Sequence, residues 1–207
     1  MLQSLCDPEY RRATWVNTVF MFFHEFAGIN VINLYSSEIF ALAKHNSMFG
    51  PKVGTLLIGL GNVIGCVLSI ATLKAFTRKG IMVWSAAMFA VLHTIVGISA
   101  RNGYTTLELV GVFVFVMVYM NTSGPIAWVY AAETTTDAGL GFCLFALYLN
   151  IFILSLICPV LMQPNIIGPS NVFFMFGGIS AIGAVWCRLY IKETKGLSDK
   201  EKKKIYN

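Results

Sequence analysis

Gly124-Pro125-Ile126-Ala127-Trp128-Val129-Tyr130-Ala131-Ala132-Glu133 decides how this chain is read. The stretch lies inside an apolar run that begins near Leu107. A proline in a helix interior removes one backbone hydrogen bond and clashes with the carbonyl one turn back. The glycine beside it leaves the backbone soft. In lipid, such a break persists only where protein or a water-filled cavity satisfies the freed backbone groups. A break, a tryptophan and then a carboxylate at the helix end point to a functional membrane segment. A packing kink with no further role is the competing reading.

Composition agrees with a membrane segment. Of the 207 residues, 57% are hydrophobic and 12% charged, against about 45–50% and about 25% in soluble domains. Mean hydropathy is +0.70. A soluble core of this size would not hide that much apolar surface, so the chain is an integral membrane protein. Its net charge of +5 bears on membrane orientation and is not a sign of nucleic-acid binding. The five cysteines, Cys6, Cys66, Cys143, Cys158 and Cys187, show no metal-ligand spacing, and most lie in apolar runs as small hydrophobes. We expect no disulfide framework, no metal and no cofactor.

Six apolar runs follow in order: Ala13 to Phe40, Val53 to Phe76, Ile81 to Ala100, Leu107 to Ala132, Leu140 to Met162 and Val172 to Ile191. Each is near or above the roughly 20 residues a helix needs to cross the hydrocarbon core. Polar stretches separate them: Lys44-His45-Asn46, Thr77-Arg78-Lys79-Gly80, Arg101-Asn102-Gly103, Thr134 to Asp137, and Pro164 to Asn171. The expected organisation is a polar segment over 1–12, a six-helix membrane domain over 13–191 and a basic tail over 192–207. Nothing in 1–12 has the order of a cleavable signal peptide.

An internal repeat is present. The first helix of each three-helix half carries a glycine interruption, Gly28 in one and Gly124-Pro125 in the other. Interrupted segments at matching places are the best sequence pointer to a transporter's binding site. Polar residues inside the runs agree: His24, Glu25, Asn30 and Asn33 in the first, then Asn62, His93, Asn121 and Asn150. Charged groups at membrane depth face the bundle interior. We read Asn62, His93 and Asn121 as groups that join helices, and Glu25 and Asn30 as site candidates. On a straight helix those two lie about 140° apart. They share a cavity only if the helix bends at Gly28.

Pro8-Glu9-Tyr10-Arg11, Gly28-Ile29-Asn30, Tyr35-Ser36, Gly124-Pro125-Ile126, Trp128, Glu133 and Glu193-Thr194-Lys195-Gly196 follow one another along the chain. In this order and near this spacing they resemble the sugar porters, the facilitative hexose transporters of the major facilitator superfamily. The match runs along the whole chain but covers only the C-terminal half of such a transporter, its helices seven to twelve. The resemblance implies an all-α membrane fold: two inverted three-helix repeats forming half of a major facilitator. It also implies a hexose site containing Asn30 and Trp128, with Asn150 as a further candidate and His24-Glu25 where the family has a glutamine pair.

Other departures are as informative. The family's second-helix asparagine falls on Gly65, and the Glu before the fourth-helix break falls on Met120. The cytoplasmic acid-Arg-x-Gly-Arg-Arg loop is reduced to Thr77-Arg78-Lys79-Gly80-Ile81, and Leu140 stands where an arginine would partner Glu133. In the family such acid–arginine pairs latch the two halves together. For Glu133 we expect a substitute partner at the same membrane side, Arg78 foremost.

Two readings follow. In one, the chain is an accessory or structural subunit of a larger membrane complex and no longer transports; the eroded ligands and latch favour it. In the other, it is a working half of a hexose facilitator, completed by a second copy or another half. Membrane lipids are partners in both. No Ser/His/Asp set and no phosphate-cradling glycine loop supports an enzyme. The family's default location is the plasma membrane, and an organelle inner membrane, such as the mitochondrial one, suits the accessory reading.

Charge orients the chain. Arg11, Arg12, Lys74, Arg78, Lys79, Arg188, Lys192, Lys195, Lys200, Lys202, Lys203 and Lys204 fall on one side of the expected topology. Lys44, Lys52 and Arg101 fall on the other. Basic loops stay on the cytoplasmic (or matrix) side. Tags placed at Met1 and Asn207 are therefore expected to report the same, cytoplasm-like compartment in a protease-protection assay. Tags in opposite compartments would refute six crossings.

Overall fold

The computed structural model describes residues 8–42 and 51–207, with side chains at 10–35 and 54–207. The Lys44-His45-Asn46 break and the side chain of Lys52 lie outside the described residues. Among these the helices are α1 (Pro8–Glu25), α2 (Ile29–Leu42), α3 (Pro51–Ala75), α4 (Arg78–Asn102), α5 (Thr105–Asn121), α6 (Ser123–Thr134), α7 (Asp137–Leu161), α8 (Gly168–Tyr190) and α9 (Asp199–Lys203).

Among the described residues, five segments are long and apolar enough to cross a membrane: Gly54–Ala75, Arg78–Asn102, Thr105–Thr134, Asp137–Leu161 and Gly168–Tyr190. The first expected run is different. It is divided into α1 and α2, and neither half alone meets that description. Its polar content (Asn17, His24, Glu25) and the interruption at 26–28 account for this. The α1–α2 pair takes the place of the sixth segment.

The first break is built around Gly28, whose φ of +86° is a left-handed value. An added Cβ there would also lie 2.7 Å from the Phe176 ring. Glycine is thus required twice, by backbone conformation and by space. The hydrogen-bond ladder is carried through: Gly28 N–H reaches the Glu25 carbonyl at 2.9 Å, and Ile32 N–H reaches the Gly28 carbonyl at 3.0 Å. The Ala27 carbonyl bonds His93 Nε2 of α4 at 2.8 Å. His93 therefore joins helices by satisfying a carbonyl at the break.

The second break falls at Thr122 (φ −124°, ψ −83°), between α5 and α6. Pro125 then occupies the first turn of α6, where N–H groups lack intrahelical partners in any case. Its ring would otherwise meet the carbonyl of Asn121 one turn back. The Thr122 hydroxyl donates to the Val118 carbonyl at 2.6 Å.

Packing relates the two halves. α4 lies most extensively against α8, α3 against α5, and α1 against α7. The third segment of one half thus meets the third of the other, and first and second segments cross-pair, as a two-fold related repeat requires. One apolar core joins Phe89, Phe115, Tyr119, Phe173 and Phe176. A second, toward the end where α1 begins and α8 finishes, joins Met21, Met82, Ile126, Tyr130 and Ile191.

The α3–α5 contact is close. A Cβ on Gly65 would lie 2.5 Å from the Met117 carbonyl oxygen and 2.7 Å from Met120 Cβ, whereas Gly59 has nothing within 4 Å. Small residues let membrane helices approach in this way. Gly65→Ala is expected to cost about 1–3 kcal/mol by overpacking, read as a lowered unfolding midpoint in detergent, while Gly59→Ala leaves it unchanged. Equal midpoints for the two variants would contradict the packing described.

Candidate functional site

The two breaks open onto one cavity of about 420 Å³, lined by His24, Glu25, Asn30, Asn33, Cys66, Tyr119, Met120, Gly124, Pro125 and Trp128, with Leu147, Tyr148 and Ile151 from α7. That volume is within the usual range for small-molecule sites. Its polar groups converge because the chain turns at 26–28. Asn30 Nδ2 donates to Glu25 Oε2 at 2.6 Å, although the two residues would diverge on a straight helix. Asn33 Oδ1 accepts from Asn62 Nδ2 of α3 at 3.2 Å. Trp128 stands at the mouth, 42% exposed.

Behind Glu25 lies a buried hydrogen-bonded group. His24 Nδ1 is 2.9 Å from Ser123 Oγ. The Tyr119 hydroxyl is 2.7 Å from His24 Nε2. Glu25 Oε1 is 3.7 Å from the same nitrogen. Glu25 is only 2% exposed. The network ties the end of α1 to both sides of the Thr122 break.

His24, Glu25, Asn30 and Trp128 are brought together, along with Gly124 and Pro125 in the cavity wall. Asn150 is not among the lining residues; its neighbours Leu147, Tyr148 and Ile151 are. The place read as a lost asparagine, Gly65, is filled by the close approach of α5. The amide that α3 brings near the cavity is Asn62, through Asn33. Tyr119 and Ser123 were not singled out by sequence, since a hydroxyl in an apolar run carries little signal until its partner is known.

The opposite end holds a charge cluster. Glu133 Oε1 is 3.7 Å from Arg78 Nη2 and 3.3 Å from Lys202 Nζ, and Glu133 Oε2 accepts from Thr194 Oγ1 at 2.7 Å. Glu193 accepts from the backbone N–H groups of Arg78 and Lys79, both at 2.9 Å, which are orphan donors at the start of α4. Lys195 Nζ caps the other side, donating to the carbonyls of Lys74, Ala75 and Phe76 at the end of α3. The basic tail also packs onto this end. Lys203 Nζ donates to the Ala132 and Thr135 carbonyls at the end of α6, and the buried Tyr206 hydroxyl is 2.7 Å from that of Tyr130. Cations at a helix C-terminus complement its dipole, a signal the lysine-rich tail did carry.

A helical membrane bundle of two three-segment repeats, with broken first segments around a cavity, is one half of a major facilitator superfamily transporter. The chain belongs to the family described as "Sugar (and other) transporter", whose profile matches residues 1–206. It is 28% identical over 208 residues to the probable metabolite transport protein CsbC of Bacillus subtilis, covering 92% of this chain and 44% of that protein. It is 25% identical over 200 residues to the galactose-proton symporter of Escherichia coli K12, covering 93% and 43%. The inward-open xylose transporter XylE from E. coli has the same fold, with a TM-score of 0.81 at 22% identity over 94% of this chain and 42% of that one. The chain thus spans under half the length of these relatives.

Glu193 lends itself to a pH test. Burial raises its carboxyl, but the N–H groups of Lys195, Arg78 and Lys79 and the Thr77 hydroxyl outweigh that and hold it below the ordinary value of 4.5. A lowered folded value stabilises above the unfolded one and is lost as pH falls through the folded one. The stability difference between wild type and Glu193→Gln in detergent is expected to be full above about pH 4.5 and to vanish at lower pH. A difference that persists or grows in acid would show that this carboxylate does not fasten the start of α4 through the Arg78 and Lys79 N–H groups.

Proposed function

We propose that this chain forms one half of a sugar transporter and that the cavity is its share of a hexose site. The carrying observation is the turn at Gly28, which brings Glu25 and Asn30 to 2.6 Å on the wall of a 420 Å³ cavity. A sugar hydroxyl both donates and accepts. Trp128 offers an indole N–H, Asn33 an amide N–H and Asn30 a carbonyl oxygen, and no described group occupies these atoms. The indole face suits the apolar face of a pyranose. Rocking transport takes two packed bundles around a central site. These residues make one, so a second bundle, from another copy or another half, would face Trp128 and Tyr148.

A second reading, an accessory subunit that does not transport, draws on the side of the cavity where α3 and α5 meet. There Met120 and the closed packing at Gly65 supply neither amide nor acid. The basic asymmetry supports both termini on the cytoplasm-like side. The plasma membrane suits the transporter, and an organelle inner membrane suits the accessory subunit.

The test is binding by the purified chain in lipid nanodiscs, read from tryptophan fluorescence. D-Glucose, not L-glucose, is expected to change the emission. Trp128→Phe removes the signal, and Asn30→Ala weakens binding by about tenfold, one hydrogen bond's worth. The chain alone in liposomes is expected to show no stereoselective uptake. Equal responses to the two enantiomers would overturn the sugar-site reading in favour of the accessory one.

A further inference from the structure

We propose that Glu25 and His24 form a proton-binding site in the cavity wall. The inference deepens the hexose reading above, but the site itself does not depend on it. Among the described residues, His24 is the one basic side chain within ion-pair distance of Glu25, at 3.7 Å. The carboxyl accepts a hydrogen bond from Asn30 and is 2% exposed. A buried carboxylate without a full counter-charge is costly. The other titratable groups facing the pair are Tyr119 of α5, Cys66 of α3 and Tyr148 of α7 on the cavity side, and Cys187 of α8 behind His24. Among the described residues, α2 and α6 bring only uncharged groups to the pair, among them Asn30, Asn33, Ser123 and Trp128, and none there supplies a permanent positive charge.

One proton neutralises the pair. A hydronium ion in the cavity transfers it to Glu25 Oε1 and leaves as water. The carboxylate becomes a carboxylic acid, and the net charge rises from −1 to 0. Whether the proton rests on the carboxyl or on His24, the two groups titrate as a unit.

Protonation also changes what the cavity offers a ligand. A carboxylate only accepts hydrogen bonds, whereas a carboxylic acid donates and accepts, as an amide does. The sugar porters that this chain resembles have a neutral amide at this place. Protonated Glu25 therefore presents the donor that a sugar hydroxyl requires, and the deprotonated form withdraws it. The position favours coupling to shape. Glu25 is the last residue of α1, before the Gly28 break, and His24 holds Tyr119 and Ser123 on either side of the Thr122 break.

The experiment uses the full chain in nanodiscs and infrared difference spectroscopy between acidic and alkaline pH. A band from a buried protonated carboxyl is expected in wild type and in Glu108→Gln, which removes the other buried carboxyl among the described residues, and to be absent when Glu25→Gln is added to Glu108→Gln. His24→Gln keeps the band and shifts its midpoint. D-Glucose affinity falls about tenfold per pH unit above the midpoint in wild type, and is flat with pH in Glu25→Gln. A band unchanged in Glu25→Gln, or a midpoint unmoved by His24→Gln, would overturn the proposal. A band that titrates at Glu25 with no glucose binding at any pH supports the proton site and removes the hexose reading instead.

Discussion

A backbone carbonyl or N–H freed inside a bilayer has no water to turn to, and this bundle interrupts two of its membrane segments. At the first break the Ala27 carbonyl is held by His93 from α4. At the second, Thr122 bonds backward through both its N–H and its hydroxyl, and the proline that forces the break is moved into the first turn of α6. Much of the interior depends on these arrangements. His93 is fully buried among Phe115, Phe173 and Phe176, so the ring that satisfies the break is also a centre of the aromatic core. Replacing it with an apolar residue would leave an orphan carbonyl at membrane depth, at a cost of about 1–3 kcal/mol.

The architecture was legible in the sequence because its signals are long and redundant. Apolar runs, polar interruptions and a glycine break in each half all act over many residues. The candidate site was legible in part. His24, Glu25, Asn30 and Trp128 stood out as polar or amphipathic groups at breaks, and the need for a bend at Gly28 followed from helix geometry alone. What was not legible depended on three-dimensional neighbours. Asn150 occupies a promising place in its run, yet the lining of α7 consists of Leu147, Tyr148 and Ile151. Gly65 reads as a missing amide, but its function is contact: α5 passes too close for any side chain.

The charge cluster at the other end shows how linear comparison misjudges loss. The loop from Thr77 to Ile81 lacks the acid and both later arginines of the sugar-porter pattern, and Glu133 lacks its arginine seven residues on. The partners come from elsewhere in the chain. Arg78 and Lys202 both approach Glu133, and Glu193 caps the start of α4 in place of a loop acid. Lys202 is 69 residues from Glu133, far outside any motif window. The charges at this end are balanced after all, by residues other than those of the linear motif.

One helix runs between these two ends. α6 starts at Ser123, hydrogen-bonded to His24 in the cavity network, and finishes at Thr134, beside Glu133 and the tail that clips it. Its 12 residues span about 18 Å at the usual rise. α4 and α8 are uninterrupted, and their mutual packing is the most extensive in the bundle. α6 is short, isolated from α5 by the Thr122 break, and held at each end by polar contacts, beside apolar packing through Ile126, Ala127 and Tyr130. The same short helix thus meets the buried hydrogen-bonded group of the cavity at its start and the charge cluster of Arg78, Lys202 and Lys203 at its end.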